Sequence, residues 1–233
     1  MNKEEFINSI KELNLEINDE ILCKLEKYFK LLNEWNDKFN LTTILEEKDV
    51  YLKHFYDSIC IVKSNLIKND NIKLCDFGTG AGFPGIVIKI FFPNINVTLI
   101  ESNNKKCVFL NEIIKELNLN NIEVINTRME LYSKNNRELF DIVTCRAVSH
   151  LRIISELAIP LLKVNGYFIP LKANIDDEIN ESKNILNELD SNIEDIISYE
   201  LPIEKSKRNI LVIKKNRVTK TKYPREYKKI IKK

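Results

Sequence analysis

Glycine is scarce. The chain has five in 233 residues, about 2% where about 7% is usual, which excludes collagen-like and glycine-rich flexible architectures. Histidine is scarcer, with two, and the five widely spaced cysteines (Cys23, Cys60, Cys75, Cys107, Cys145) form no Cys-x-x-Cys pair, so no structural zinc or other metal site is predicted. An odd number of cysteines, mostly inside apolar runs, predicts buried thiols in a reducing compartment and hence a cytoplasmic protein. No apolar run approaches the ~18 residues of a membrane span, and residues 1–6 lack the basic and apolar regions of a secretory signal. No membrane partner is expected. With 44% hydrophobic and 30% charged residues the composition is that of one ordinary folded globule.

What is present is unevenly placed. Residues 205–233 hold 13 Lys and Arg against Glu226 alone, a net of +12, so the preceding 204 residues carry −10 beneath an overall +2. The basic end is the part expected to meet a polyanion. Four of the five glycines (Gly78, Gly80, Gly82, Gly85) fall within eight residues. A chain this sparing with glycine concentrates it where the backbone turns tightly or approaches a ligand.

Ile21, Leu22, Leu25, Tyr28, Phe29, Leu32, Trp35 and Phe39 recur at helical spacing and predict one long amphipathic helix, with Trp35 on its core face. A second helix is expected from Val50 to Val62, after the break at Asn40-Leu41-Thr42-Thr43. Beyond Asn69-Asp70-Asn71, short apolar runs alternate with helical patterns, the mark of βαβ units. Strands are predicted at 72–77, 97–101, 122–125, 141–145, 166–171, 193–199 and 209–213, with helices at 84–91, 104–117, 150–162 and 176–189. The chain therefore reads as α/β, with a helical extension over 1–68 and a seven-stranded, mainly parallel sheet domain over 69–233.

The stretch Asp76-Phe77-Gly78-Thr79-Gly80-Ala81-Gly82-Phe83-Pro84-Gly85 lies between a predicted strand and a helix, where a doubly wound sheet binds its ligand. Gly80 to Gly85 fits the dinucleotide fingerprint G-x-G-x-x-G, with Glu101 near the spacing of a ribose-binding acid. Read from Asp76, the alternation Asp76-x-Gly78-x-Gly80-x-Gly82 resembles motif I of the Rossmann-like S-adenosylmethionine-dependent methyltransferases. Charge favours the second reading: a carboxylate beside the loop repels a pyrophosphate, whereas S-adenosylmethionine brings a sulfonium and an ammonium. Glu101 can accept from a ribose diol in either case.

Several further segments carry one family resemblance in order along the chain. Trp35-Asn36-x-Lys38-x-Asn40-Leu41-Thr42, Lys53-His54-Phe55-x-Asp57-Ser58, the glycine loop, Glu101-Ser102-Asn103-x-Lys105-Lys106, Arg128-x-Glu130, Arg146-Ala147, Leu171-Lys172 and Tyr223-Pro224-Arg225 resemble the ribosomal RNA small subunit methyltransferase G family. Cys145, Ala173 and Glu101 depart from it, standing where Ser, Gly and Asp are common. The resemblance implies a Rossmann-like methyltransferase acting with S-adenosylmethionine on N7 of a guanine in 16S ribosomal RNA, free or in a small-subunit assembly intermediate, as a monomer.

It also implies the site. Asp76, Gly78, Gly80, Gly82, Phe83, Glu101, Met129, Glu130 and Arg146 are expected at the cofactor, and Arg146, His54 and Lys172 at the reacting end. Met129 would otherwise be a core side chain. His54, on an apolar helix face, would otherwise be a core histidine bonded to Asp57. Lys172 would meet an RNA phosphate or be solvated. No Asp/Asn-Pro-Pro-Tyr segment follows the fourth strand, which argues against amino-group methylation, and Cys145 has no Pro-Cys companion for cytosine C5 chemistry. Guanine N7 carries a free lone pair, so the expected chemistry needs no general base.

Overall fold

The computed structural model describes residues 1–232. Two helices open the chain, α1 (Lys3–Glu12) and α2 (Asp19–Phe39). Asn2 caps α1 reciprocally with Glu5, and Asn18 caps α2, because a short side-chain oxygen can satisfy the orphan N–H groups of a first turn. Helix α2 ends where Asn40 turns left-handed, and its buried face is Leu25, Tyr28, Leu32 and Asn36. The predicted second helix is a compound one: α3 (Glu47–Asp49), a π-helical stretch Val50–Tyr56, α4 (Asp57–Ile59) and a 3₁₀ turn Cys60–Ser64. Such widened turns recur at functional sites, and this one carries Lys53 and His54.

The sheet follows: β1 (Lys73–Phe77), β2 (Asn96–Glu101), β3 (Ile122–Asn126), β4 (Phe140–Arg146), β5 (Leu162–Lys172), β6 (Ser191–Glu200) and β7 (Lys207–Lys215). Between them lie α5 (Gly85–Phe91), α6 (Asn104–Glu116), α7 (Met129–Asn135), α8 (Leu151–Ala158) and α9 (Asp176–Glu188), and α10 (Tyr227–Ile230) closes the described chain. The strand order is β3-β2-β1-β4-β5-β7-β6, parallel except for β7, which runs antiparallel to both neighbours. The order reverses direction between β1 and β4, so ligands are expected outside the carboxyl ends of those two strands.

Alternation along each strand divides the core into two layers. Leu74, Val97, Leu99, Ile142 and Ile169 face α5, α6 and the N-terminal helices, forming one continuous apolar cluster that also includes Phe6, Tyr28, Tyr51 and Phe55. Cys75, Phe77, Ile100, Val143, Cys145 and Phe168 face α8 and α9. Trp35 lies half-buried against Phe109 of α6, with ring centroids 5.9 Å apart. Four cysteines are buried and Cys23 is exposed.

The basic C-terminal segment is not a free tail. Lys214 pairs with Glu194 at 3.2 Å, Lys222 with Glu188 at 3.1 Å, and Arg225 with the fully buried Glu156 at 2.6 Å. Lys215 is buried, with its ammonium on the Leu162 carbonyl at 2.6 Å and Glu138 at 3.2 Å. Much of the positive charge is thus matched within the fold, because β7 enters the sheet and the residues after it lie against α8 and α9. Lys233 lies outside the described residues.

Candidate active site

The glycine loop leaves β1 at the switch point. Gly78, Gly80 and Gly82 all have positive φ, at 63°, 62° and 103°. At Gly82 the constraint is also steric: a Cβ there would lie 2.5 Å from the Tyr28 hydroxyl and 2.6 Å from Ile86. The absent side chain therefore makes room for the helical extension. The resemblance places Gly82 at the cofactor; in the structure its closest neighbours are Tyr28 and Ile86. Gly80 differs, for a Cβ there would meet nothing closer than the Lys106 ammonium at 4.0 Å.

Two carboxylates hold the loop from the sheet. Asp76 is fully buried, and one of its oxygens accepts from the Thr79 hydroxyl at 2.6 Å and the Gly85 amide at 2.7 Å. Its other oxygen, Oδ1, is buried without a partner among the described residues. Burial pushes the carboxyl up to about 7 despite those two donors. Glu101, at the end of β2, accepts from the Gly80 amide at 3.0 Å through Oε2 and from the Asn103 amide at 2.7 Å through Oε1.

Two clefts open at this end of the sheet. The first, of about 270 Å³, is lined by Gly78, Ser102, Met129, Glu130 and Val148 among others. Met129 and Glu130 reach it because they begin α7 just beyond β3. The second, of about 500 Å³, is lined by His54, Asp57, Arg146, Lys172, Tyr199 and Arg208 among others. Arg146 and Ala147 line the second cleft, Val148 and Ser149 the first, so residues 146–149 are the wall between them.

Arg146 ends β4 and reaches back into the extension. Nη1 donates to the Lys53 carbonyl at 2.8 Å and to Asp57 at 3.2 Å, Nη2 lies 3.1 Å from His54 Nδ1, and the guanidinium stands over the Phe83 ring at 5.3 Å. A guanidinium only donates, so His54 Nδ1 is the acceptor and its proton is on Nε2, facing the Thr42 hydroxyl at 3.0 Å. Burial, reinforced by the Arg146 charge, pushes the imidazole down to about 3, so it is neutral at physiological pH. The expected His54–Asp57 bond is absent. Asp57 instead faces Arg146, Arg208 at 3.3 Å and the Tyr199 hydroxyl at 3.1 Å, because cations and a phenol outcompete a neutral ring for its oxygens.

Two further expectations are corrected. Lys172 is neither solvated nor free for a phosphate: its ammonium binds the Ser149 carbonyl at 2.7 Å and Glu178 at 2.8 Å, and Glu178 also accepts from the Leu151 amide at 2.7 Å. It fixes the wall between the clefts. Phe83 is not on the wall of the first cleft. It is buried between Tyr28, with centroids 5.3 Å apart, and His54, at 4.3 Å, since a large ring gains more from stacking in the core than from the loop surface. Sequence reasoning missed Tyr199, Arg208 and Glu178. An arginine just before the apolar run Ile210-Leu211-Val212-Ile213 was the available signal for Arg208.

The residues fit S-adenosylmethionine. A carboxylate with an orphaned buried oxygen, an open glycine and an acid at the end of β2 suit a cationic ligand carrying a diol. Fold and site together define the class: an S-adenosylmethionine-dependent methyltransferase. Solved structures with this fold include a precorrin-6y C5,15-methyltransferase from Geobacter metallireducens GS-15 (16% identity, TM-score 0.55, covering 80% of this chain and 98% of that one). A SAM dependent methyltransferase from Aquifex aeolicus also matches (16% identity, TM-score 0.52, 80% and 97%).

The family described as rRNA small subunit methyltransferase G matches residues 21–211, and the chain belongs to it. Ribosomal RNA small subunit methyltransferase G of Streptococcus pneumoniae (strain ATCC 700669 / Spain 23F-1) is 46% identical over 229 residues, covering 97% of this chain and 96% of the relative. Its namesake in Bacillus subtilis (strain 168) is 44% identical over 232 residues, covering 97% and 95%. No group of His, Cys, Asp and Glu among the described residues is arranged to hold a metal ion, and no described helix is long and apolar enough to cross a membrane.

Proposed function

We propose that this chain methylates N7 of a guanine in 16S ribosomal RNA, with the cofactor in the first cleft and the guanine in the second. The observation that carries this arrangement is the shared wall, residues 146–149, which brings a ligand in each cleft to a common edge. S-adenosylmethionine supplies an electrophilic methyl group on its sulfonium. Gly78, Met129 and Glu130 line that cleft and orient it, while Asp76, Gly80 and Glu101 set the shape of the adjoining loop, with Gly82 and Phe83 packing the loop from behind.

Arg146 orients the base. Three of its five N–H groups are engaged with Lys53, Asp57 and His54, which leaves two to donate to guanine O6, the acceptor beside N7. His54, neutral and with its Nδ1 lone pair committed to Arg146, takes no proton and serves as a rigid wall. Lys172 holds the partition through Ser149 and Glu178. Catalysis is then mainly positioning of two reactants. The second cleft's cations (Lys53, Arg146, Lys172, Arg208) are each paired to a carboxylate, which suits a neutral base better than a phosphate.

The substrate on this reading is 16S ribosomal RNA, free or in a small-subunit assembly intermediate, met in the cytoplasm. The test is nucleoside mass spectrometry of small-subunit RNA from cells with and without the gene, with add-back of the purified protein. N7-methylguanine lost with the gene and restored by the protein is the expected result. A different methylated nucleoside overturns the assignment.

A further inference from the structure

We propose that Tyr28 is a positioning residue for the cofactor: from the helical extension it holds the glycine loop in the shape that receives S-adenosylmethionine, which makes the extension part of the cofactor site. Besides the Gly78 amide, which donates to the Ile100 carbonyl at 2.8 Å, three side chains anchor the loop. Asp76 binds its two ends through Thr79 and Gly85, and Glu101 binds its middle through the Gly80 amide. The third is the Tyr28 hydroxyl, which donates to the Ala81 carbonyl from α2. It is the anchor contributed by the extension.

Several independent contacts fix Tyr28 in that place. Its side chain is fully buried, stacked on Phe83 at 16° between ring planes and packed against Phe55 with centroids 5.5 Å apart. Its hydroxyl fills the space that a side chain on Gly82 would need, 2.5 Å from the position of that Cβ. Burial keeps the phenol protonated far above neutrality, so it remains a donor. The loop turns left-handed at Gly80 and again at Gly82, on either side of Ala81. A loop of two successive left-handed turns has many alternatives when released, and the Ala81 bond selects one. Phe83, next to the loop, also stacks on His54 and lies under Arg146; the Tyr28 hydroxyl feels the Arg146 charge but gives its hydrogen bond to the Ala81 carbonyl.

The inference rests on the methyltransferase reading, and its test separates the two. In the full chain, Tyr28→Phe keeps both ring contacts and removes one hydrogen bond. Calorimetry with S-adenosylhomocysteine should give a Kd raised about tenfold, the effect of one lost buried hydrogen bond. The KM for RNA and the kcat at saturating cofactor should stay within about twofold. Because Gly82→Ala places its methyl against the Tyr28 hydroxyl, the Gly82→Ala, Tyr28→Phe double variant should bind the cofactor product no more weakly than Gly82→Ala alone. An unchanged Kd in Tyr28→Phe, an equal rise in the RNA KM, or additive losses in the double variant overturn the proposal. A wild-type protein that binds no S-adenosylhomocysteine overturns the methyltransferase reading itself.

Discussion

The Arg146 guanidinium lies 3.2 Å from the Asp57 carboxylate and joins the end of β4 to α4 of the helical extension, with the two side chains only 14% and 8% exposed. A surface position at the rim of the sheet would have left Arg146 free for substrate alone. Its bonds to Lys53, His54 and Asp57 give it a second duty, as the clasp between extension and sheet.

Removing one partner of a buried pair leaves the other charge uncompensated, which costs about 3–5 kcal/mol. Asp57 retains Arg208 and Tyr199, so Arg146→Ala should fall at the low end, about 3 kcal/mol by urea denaturation. Methyl transfer should fall with it by more than the stability loss explains at a temperature where the variant is fully folded. Arg146→Lys keeps the charge but not the fork and should recover stability better than rate. If Arg146→Ala is as stable as the wild type, the clasp has no energetic weight.

The basic C-terminus divides by burial. Lys215→Met removes an ammonium with no exposed surface from the Leu162 carbonyl and from Glu138, so a loss of about 1–3 kcal/mol is expected. Lys214→Met and Lys222→Met act on solvent-screened pairs with Glu194 and Glu188 and should leave the urea midpoint nearly unchanged. Measured against salt, the RNA affinity of Lys215→Met should keep the wild-type slope, because a buried ammonium releases no counterion. A shallower slope for that variant would show that the segment opens to meet RNA.

Asp76 makes stability depend on pH in an unusual direction. Its native carboxyl is held up at about 7 by burial, against 3.8 ordinarily. The folded state therefore keeps a proton that the unfolded chain releases, and this group's contribution to stability declines as pH rises between those values. Asp76→Asn preserves an oxygen acceptor for Thr79 and Gly85 and cannot ionise. Relative to the wild type it should gain about 2–4 kcal/mol on going from pH 5 to pH 8 in urea unfolding. A wild type that gains on the variant over that range would show that Asp76 is better stabilised ionised than neutral.

The strands and the glycine loop were legible because period-two apolar runs and clustered glycines are local signals. All seven predicted strands occur, and β5 is longer than expected because Leu162 pairs with Phe140 before Gly166 is reached. The reversal of β7 and the sheet order depend on long-range pairing and left no local trace. The resemblance puts Arg146, His54 and Lys172 at the reacting end, and all three line the second cleft. The pairing of Asp57 with Tyr199 and Arg208 was not foreseeable, since these groups meet across more than 140 residues of sequence. Phe83 shows the same limit: beside a ligand loop it reads as a lining residue, and only the packing of α2 shows that it belongs to the core.

His54 carries the last prediction. A histidine at the edge of a methyl-transfer site invites a role as general base, with activity rising through the usual imidazole range. Burial and the Arg146 charge hold this one down at about 3, and its Nδ1 lone pair already accepts from Arg146. Between pH 6 and pH 9 it does not change charge. Single-turnover methyl transfer at saturating cofactor and RNA should therefore be flat over that range. Because the native pKa lies below the unfolded value near 6.5, the stability linked to His54 is complete above 6.5 and is lost as pH falls toward 3, so the imidazole limits the fold in acid and not the rate near neutrality. His54→Gln keeps a hydrogen-bonding side chain of similar length. It should lower the rate through a less well held Arg146, yet leave the profile flat. A wild-type rate with a midpoint between 6 and 7 that disappears in His54→Gln would make His54 a titrating catalyst and refute a mechanism built on orientation.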